Sequence, residues 1–204
     1  NMFYNTTGWD AAVAIHGSAD DATSGLANVV IALLRVGDQK YWNGSGWVVS
    51  ETWNGVTGIT SWSYTLASSA LTDGFTYQVF SKATDNVDNV QTIYGEDSFT
   101  YDTTEPNTVF SILNDFYNNA GWTSTDHIQG TAGDSTSGIP AVHVLIQRGS
   151  DSLYYDPDGW SSTEAWQAVA GTENWSYTFA HEELHDGVSY TVWVRAIDGA
   201  GNLE

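Results

Sequence analysis

The fold is decided by the stretch Trp62–Asn89, which reads WSYTLASSALTDGFTYQVFSKATDNVDN and recurs as WSYTFAHEELHDGVSYTVWVRAIDGAGN at Trp175–Asn202. In each copy a Trp-x-Tyr run is followed by an Asp-Gly pair, an alternating aromatic and β-branched run, and an acidic loop that ends at Asn. Asp-Gly pairs mark turns, and short runs of alternating apolar residues indicate half-buried strands. Each copy therefore predicts two strands joined through a tight turn.

The repeat runs through most of the chain. Superimposing Trp62 on Trp175 aligns residues 1–91 with residues 114–204 without an insertion. A repeat of this length predicts one domain for each copy.

Residues 92–113 have no counterpart, because they join the end of one repeat to the beginning of the next. Pro106 suits such a junction, since proline cannot donate a hydrogen bond to a strand ladder. We therefore expect two domains, at residues 1–103 and 104–204. By the same alignment the first domain lacks its first strand and the second lacks its last, as in an internal slice of a longer protein. Two explanations stay open: an arbitrary fragment boundary, or sheet edges that pair with another chain.

The composition favours an all-β protein with no nucleic-acid or membrane partner. The 204 residues include 10 Trp, 11 Tyr and 7 Phe, which suit the half-buried surface of a pleated sheet. Five basic residues against 25 acidic ones give a formal net charge of −20, which repels phosphate backbones and anionic lipids and attracts cations. The chain has no Cys, so disulfides and thiolate metal sites are excluded. No apolar run approaches the roughly 18 residues of a membrane-spanning helix.

Several motifs follow one another along the chain, and some of them recur in both copies. They are the segments GSADDATSGLANV (17–29) and GTAGDSTSGIPAV (130–142), the YWNGSGW hairpin (41–47), the loops ATDNVDN (83–89) and AIDGAGN (196–202), and the linker DTTEP (102–106). In this order they resemble bacterial immunoglobulin-like, or fibronectin type III-like, repeats of large secreted and cell-surface proteins. The resemblance implies two tandem Greek-key β-sandwich domains that act as extracellular spacers or adhesion modules between neighbouring repeats, often stiffened by Ca²⁺. It does not imply an enzyme.

The acidic loops predict a calcium site at the domain junction. In an immunoglobulin-like topology, the loop between the second and third strands and the loop before the last strand lie at the same end, which also receives the linker. The residues expected to meet there are Asp102, Glu105, Asp134, Asp198 and Asn202, and their counterparts in the first copy are Asp21, Asp85 and Asn89. Such an all-oxygen set suits Ca²⁺, which takes 6 to 8 oxygen ligands. The alternative is that these Asp and Asn residues only form Asx turns.

The aromatic residues have structural interpretations and one functional alternative. Tyr77 and Tyr190 each follow an Asp-Gly turn and begin a strand, which predicts tyrosine corners whose hydroxyl groups bond to nearby backbone. The Trp residues shared by both copies are predicted to pack in the core or on hairpins; in the first copy they are Trp9, Trp47, Trp53 and Trp62. The alternative is a sugar-stacking platform, for which Trp42 and Trp193 are the better candidates for exposure. The second functional hypothesis is accordingly a carbohydrate-binding module accessory to a surface enzyme.

The segment His181–His185 reads HEELH and matches the H-E-x-x-H pattern of zinc proteases. That chemistry needs both His side chains on one face of a stable helix, together with a third ligand. Here Gly187 follows at once, which leaves room for a single turn between two strands. We therefore predict a solvated loop rather than a protease site, and we identify no catalytic residues elsewhere in the chain.

Overall fold

The computed structural model describes residues 2–11, 15–111, 117, 122 and 127–204. It divides into two compact units, Asn1–Thr103 (unit 1) and Thr104–Glu204 (unit 2). The regular secondary structure of both units is almost entirely β-strand, arranged in two sheets around a hydrophobic core, so the predicted all-β sandwich class is confirmed. None of the helices among the described residues is long and apolar enough to span a membrane.

Unit 1 forms two sheets from short strands. In chain order its described elements are β1 (Met2–Tyr4), α1 (Thr6–Ala11), β2 (Ile15–Ser18), β3 (Leu26–Arg35), β4 (Lys40–Trp42), β5 (Trp47–Val48), β6 (Asn54–Gly55), β7 (Thr57–Gly58), β8 (Ser61–Tyr64), a one-turn 3-10 helix (Ser68–Ala70), β9 (Thr76–Asp85) and β10 (Gly95–Tyr101). The larger sheet has the order β1-β10-β9-β3-β4-β5, with β6 also paired to β3, and the smaller sheet has the order β2-β8-β7. Strand β1 pairs with β10 in parallel.

Unit 2 is also built from two sheets. Its described elements are β11 (Asn107–Phe110), β12 (His127–Gly133), β13 (Ala141–Arg148), β14 (Tyr154–Asp156), β15 (Gly159–Ser161), β16 (Gln167–Ala168), β17 (Asn174–Thr178), a one-turn 3-10 helix (His181–Glu183) and β18 (Tyr190–Ile197). One sheet has the order β11-β12-β17, and the other has the order β15-β14-β13-β16 with β18 paired to β13.

Alternation along the central strands builds the two cores. In β3 the side chains of Ile31 and Leu33 are fully buried, and in β13 those of Val144 and Ile146 are buried to the same degree. Burying one such side chain contributes roughly 1.5–3 kcal/mol. Each core therefore lies between the two sheets of its own unit.

The YWNGSGW segment forms the predicted hairpin. Strands β4 and β5 pair with Trp42 opposite Trp47. The side-chain Oδ1 of Asn43 accepts hydrogen bonds from the amides of Ser45 (3.0 Å) and Gly46 (2.9 Å), and Gly44 has a φ of 93°. A side-chain acceptor followed by a residue with positive φ is the usual chemistry of such turns.

The two units differ at their sheet edges. Strand β12 pairs with β11 on one side and β17 on the other, whereas its counterpart β2 pairs only with β8 among the described residues. Likewise β9 pairs with β3 and β10, whereas its counterpart β18 pairs with β13 alone among the strands of the described part of the chain.

Candidate functional site

In unit 2 the loop after β18 closes around a buried carboxylate. Asp198 is 2% exposed, and its Oδ1 accepts hydrogen bonds from the amides of Ala200 (2.9 Å) and Asn202 (2.8 Å). The Asn202 Nδ2 atom donates to Asp198 Oδ2 (2.7 Å) and to the carbonyl oxygen of Thr104 (3.2 Å). The predicted pair Asp198 and Asn202 is therefore one hydrogen-bonded unit that also holds the first residue of unit 2.

The connection between β12 and β13 supplies a second carboxylate. Asp134 Oδ1 accepts from the amides of Thr136 (3.0 Å), Ser137 (2.7 Å) and Gly138 (3.2 Å) and from the Ser137 hydroxyl group (3.4 Å). All these bonds end on Oδ1, so among the described residues Oδ2 of Asp134 accepts none. Gly138 has a φ of 72°, which only Gly adopts without strain.

Strand pairing brings these two loops together. Ala141, the first residue of β13, lies opposite Ile197, the last residue of β18. As a result, carboxylate oxygens of Asp134 and Asp198 lie within 4.8 Å of each other. Two carboxylates near 4 Å repel by about 1 kcal/mol even at the dielectric constant of water, and a cation bound between them removes that cost. The pair is therefore chemically suited to a hard cation.

Unit 1 contains the counterpart loops. Asp85 Oδ1 accepts from the amides of Val87 (3.0 Å) and Asn89 (2.8 Å), and its Oδ2 accepts from Asn89 Nδ2 (2.7 Å). The Ser24 hydroxyl group lies within hydrogen-bond distance of both Asp85 Oδ2 (2.9 Å) and Asp21 Oδ2 (3.2 Å). The predicted residues Asp21, Asp85 and Asn89 are therefore brought together, with Ser24 between the two acids.

These contacts change the acidity of Asp85. Burial acts to raise the pKa of its carboxyl group, but the hydrogen bonds from Asn89, Ser24 and the Val87 amide outweigh burial and lower the pKa to about 2. Asp85 is therefore ionised throughout the physiological range.

The two remaining predicted ligands lie near the boundary of the units. Asp102 follows β10 directly and is fully buried, and its amide donates to the carbonyl oxygen of Tyr4 (2.9 Å). In unit 2, Glu105 is exposed and lines a shallow open depression together with Asp134. Local Asx-type hydrogen bonds are present at Asp134 and Asp198, and their backbone donors end on the Oδ1 atom of each side chain.

The tyrosine corners are confirmed. Tyr77 is fully buried, and its hydroxyl oxygen accepts a hydrogen bond from the Thr72 amide (2.7 Å). The Tyr190 hydroxyl group accepts from the His185 amide (2.9 Å) and donates to the Glu183 carbonyl oxygen (2.9 Å).

The Trp residues lie mostly in packing positions. Trp62 is buried, and Trp9 and Trp47 pack against the core of unit 1. Trp53 is half-buried and lies under the Lys82 ammonium group, which is 3.7 Å from its ring centroid. Sequence reasoning missed this cation–π pair, although the aligned positions in unit 2 also hold a cation and a Trp.

The exposure predicted for Trp42 is wrong and that for Trp193 is confirmed. Trp42 is half-buried because its indole packs against the core and donates to the Tyr64 hydroxyl oxygen (2.9 Å), whereas Trp193 is 40% exposed. The other exposed large aromatic side chains among the described residues are Tyr94 in unit 1 and Tyr117 in unit 2. Trp193 is therefore the one exposed Trp among the described residues, and neither unit shows there a platform of several Trp side chains of the kind that would favour sugar binding.

The HEELH segment forms the single turn that the sequence predicts. The 3-10 helix ends at Glu183, so His185 lies outside it. Neither His belongs to a group of three or more potential metal ligands in the described part of the chain. Glu183 instead accepts a hydrogen bond from the Trp160 indole (2.9 Å).

Comparison with known proteins gives only structural similarity. No model of a known protein family matches the chain. No curated protein sequence matches it either. Similar solved structures include part of a 1.5-MDa bacterial ice-binding adhesin studied for its retention on the host cell surface (18% identity, TM-score 0.44, covering 98% of this chain and 57% of that one). A tetra-tandem repeat in the extending region of a large adhesion protein is also similar (20% identity, TM-score 0.35, covering 92% of this chain and 46% of that one).

A third similar structure is a Ca²⁺-stabilized adhesin that helps an Antarctic bacterium to reach out and bind ice (15% identity, TM-score 0.39, 99% of this chain and 43% of that one). The chain thus spans about half the length of the structures that it resembles.

Proposed function

We propose that the chain is a pair of non-catalytic repeats that serve as a spacer or adhesion module of a larger extracellular or cell-surface protein, stiffened by calcium at the junction. The observation that carries the proposal is the recurrence, in both units, of a buried Asp–Asn loop beside a second acidic loop. A repeated structural element outside any catalytic constellation is expected of a module whose partners are the neighbouring repeats.

Calcium would be held by the acidic loops of unit 2 together with the linker. Asp134 offers Oδ2, and Asp198 offers the lone pairs that its hydrogen bonds leave on Oδ2. Asn202 and Glu105 add further oxygen atoms, and Asp102 adds a carboxylate from the chain just before the linker. Backbone carbonyl groups and water molecules would complete the 6 to 8 oxygen ligands.

Ion binding by this set has a mechanical consequence. A cation bound by Asp102 on one side of the linker and by Asp134 and Asp198 on the other would restrain the two residues between the units, Thr103 and Thr104. In unit 1 the matching set, Asp21, Asp85 and Asn89, would serve the junction with a preceding repeat in the same way. The formal charge of −20 favours both sites by concentrating cations near the chain.

An extracellular setting agrees with the chemistry of the chain. It has no Cys that oxidation could alter. Calcium bound by the acidic loops would supply the stability that disulfides supply in other secreted domains. The carbohydrate-binding alternative has no supporting observation, because Trp193 is the one exposed Trp among the described residues.

Calorimetric titration of the metal-stripped chain with Ca²⁺ tests the proposal. The expected result is a binding heat and a higher melting temperature, with about 2.7 kcal/mol of added stability at a calcium concentration 100 times Kd. Asp134→Asn should lower the affinity tenfold or more, while Asp158→Asn, in an exposed turn, serves as the matched control.

Small-angle scattering checks the mechanical part of the proposal. Calcium should make the wild-type chain more extended and should narrow its range of conformations. It should have no such effect on the Asp134→Asn variant. A chain that gives neither heat nor a change in melting temperature with Ca²⁺ would refute calcium binding, and identical scattering profiles would refute stiffening.

A further inference from the structure

The chain contains two Asn-Gly pairs, and both lie in unit 1. They are Asn43-Gly44, in the turn between β4 and β5, and Asn54-Gly55, which forms β6. An Asn-Gly pair is chemically labile, because Gly has no side chain that would hinder attack by its backbone nitrogen on the side-chain carbonyl carbon of Asn. The same dipeptide therefore lies in two different surroundings within one folded unit.

In the turn, three donors polarise the side-chain carbonyl group of Asn43. Its Oδ1 atom accepts hydrogen bonds from the amide of Ser45 (3.0 Å), the hydroxyl group of Ser45 (3.1 Å) and the amide of Gly46 (2.9 Å). A nucleophile that attacks Cγ places negative charge on this oxygen, and donors that already point at it stabilise that charge. The turn therefore activates Asn43 Cγ toward attack.

The backbone nitrogen of Gly44 is the nucleophile that the turn leaves available. Its N–H group donates no hydrogen bond to any described residue, and Gly44 is exposed to solvent. The hydrogen bond from the Ser45 amide to Asn43 Oδ1 closes a ring of atoms that includes the Gly44 nitrogen. The Asn43 side chain is therefore folded back toward the nitrogen with which it would react.

The second pair lacks this arrangement. The Nδ2 atom of Asn54 donates to the Trp42 carbonyl oxygen (2.9 Å), and its Oδ1 atom accepts no hydrogen bond from a described residue. Gly55 lies opposite Val30 in the ladder between β6 and β3. Side chains in a strand stand roughly perpendicular to the sheet, which holds the Asn54 carbonyl carbon away from the following amide. Asn54 is therefore an internal control for Asn43.

We propose that Asn43 is a site of spontaneous covalent modification, at which the side-chain amide is converted through a cyclic succinimide to aspartate and isoaspartate. The Gly44 nitrogen loses its proton to hydroxide and forms a bond to Asn43 Cγ. The bond between Cγ and Nδ2 then breaks, and the Nδ2 group takes a proton from water and leaves as ammonia.

Water opens the ring at either of its two carbonyl carbons. Addition at Cγ breaks the bond between Cγ and the Gly44 nitrogen and gives aspartate in the original main chain. Addition at the backbone carbonyl carbon of Asn43 breaks the original peptide bond and gives isoaspartate, whose main chain passes through Cβ and Cγ. No atom is oxidised or reduced, so water and hydroxide are the only co-reactants.

The two products have different consequences for the hairpin. Aspartate keeps an oxygen acceptor in the turn, as Asp156 does in unit 2, where it accepts from the Asp158 amide (3.1 Å). Isoaspartate adds a methylene group to the main chain between Trp42 and Trp47, which pair across the hairpin. The isoaspartate product should therefore disturb the pairing of these two Trp residues.

Unit 2 carries neither reactive pair. Asp156 and Pro157 align with Asn43 and Gly44, and the Pro nitrogen has no proton to lose. Gln167 and Ala168 align with the second pair. The modification is thus confined to the hairpin of unit 1.

Peptide mapping of the full, unsubstituted chain tests the proposal. The folded chain is kept in mildly alkaline buffer without calcium, and samples taken over time are cleaved after Lys40 and Glu51, which puts the two pairs in separate peptides. Mass spectrometry measures the replacement of NH₂ by OH at each Asn, and fragmentation separates aspartate from isoaspartate, which direct hydrolysis does not form. Asn43 should react at least about tenfold faster than Asn54 and should give isoaspartate among its products.

Two controls separate the effect of the turn from that of the dipeptide. In urea the fixed contacts are lost, so the two pairs should react at rates within about twofold of each other. Ser45→Ala removes the hydroxyl donor and leaves both amide donors in place, so it should slow the reaction at Asn43 about threefold and leave Asn54 unaffected.

Four results would overturn the proposal. They are equal rates at the two pairs in the folded chain, a product at Asn43 that contains no isoaspartate, a difference in rate that persists in urea, and a rate at Asn43 that Ser45→Ala does not lower. The first three are measured on the unsubstituted chain and so do not depend on the folding of a variant.

Discussion

Unit 1 contains a cavity of about 470 Å³ whose lining includes Gly17 and Trp62. The aligned glycines Gly17 and Gly130 allow this cavity to be tested by the addition of a single methyl group. A Cβ atom at Gly130 would collide with the Val109 carbonyl oxygen and would lie 2.5 Å from Cζ2 of Trp175. The three atoms nearest to a Cβ atom at Gly17 would all belong to the Trp62 ring, and none of them is a backbone atom. The same substitution therefore meets fixed backbone in unit 2 and a movable ring in unit 1.

The magnitudes follow from this difference. Overpacking costs about 1–3 kcal/mol, and replacing Gly by Ala in a strand returns about 0.5–1 kcal/mol. At Gly130 the net cost should be about 1–2 kcal/mol, because neither β11 nor the buried Trp175 can move away. At Gly17 the Trp62 ring can shift into the cavity, so the net change should be close to zero.

Differential scanning calorimetry of the metal-free chain measures both effects. A change of 1 kcal/mol shifts the melting temperature of a domain of 60–100 residues by about 4–8 °C. Gly130→Ala should lower the transition of unit 2 by at least about 4 °C, and Gly17→Ala should leave the transition of unit 1 within about 4 °C. Hydrogen exchange in β3 and β13 assigns each transition to its unit. A loss of stability at Gly17 as large as that at Gly130 would refute the reasoning.

Three further outcomes are expected. Tyr77→Phe removes the acceptor of the Thr72 amide and should cost about 1 kcal/mol, seen as a lower urea midpoint with an unchanged m-value, and a midpoint that does not move would argue against the corner. Asp85 has a folded pKa of about 2 against an ordinary value of 3.8, so its ionised form stabilises the fold above about pH 4 and this contribution disappears as the pH falls toward 2. Asp85→Asn should therefore flatten the pH dependence of the urea midpoint in calcium-free buffer across that interval, and an unchanged slope would contradict the lowered pKa. His181→Ala should leave the melting temperature in zinc-containing buffer unchanged, because the HEELH turn does not form a helical zinc site; protease activity that depends on this residue would show the opposite.

The candidate site shows which of its contacts could be predicted from residues that are close in sequence. The Asp198–Asn202 loop was recognisable because Asx hydrogen bonds join residues two to four positions apart, and the same is true of Asp85 and Asn89. The predicted partner of Asp85, Asp21, also lies beside it, because the pairing of β3 with β9 brings their loops together. What the sequence did not indicate is that Ser24 lies between these two acids.

Some contacts of the aromatic residues could not be predicted from residues that are close in sequence. Tyr77 and Tyr190 were predictable, since a corner needs only a hydroxyl group a few residues beyond a turn. The burial of Trp42 was not predictable, because it depends on Tyr64 and on core packing from distant strands. The Lys82–Trp53 contact likewise joins two segments that only the sheet brings together.

The sequence by itself determined the repeat, the all-β class and the position of the turns, because strand alternation and turn chemistry are properties of neighbouring residues. Only the tertiary structure decided how the acidic loops assemble and which sheet edges have partners. The Asp134 and Asp198 carboxylates meet because Ala141 pairs with Ile197. The cavity beside Trp62 is lined by residues of four strands, β2, β8, β9 and β10, from both sheets of unit 1. Both features depend on contacts between segments far apart in the chain, and such contacts leave no periodic signal in the sequence.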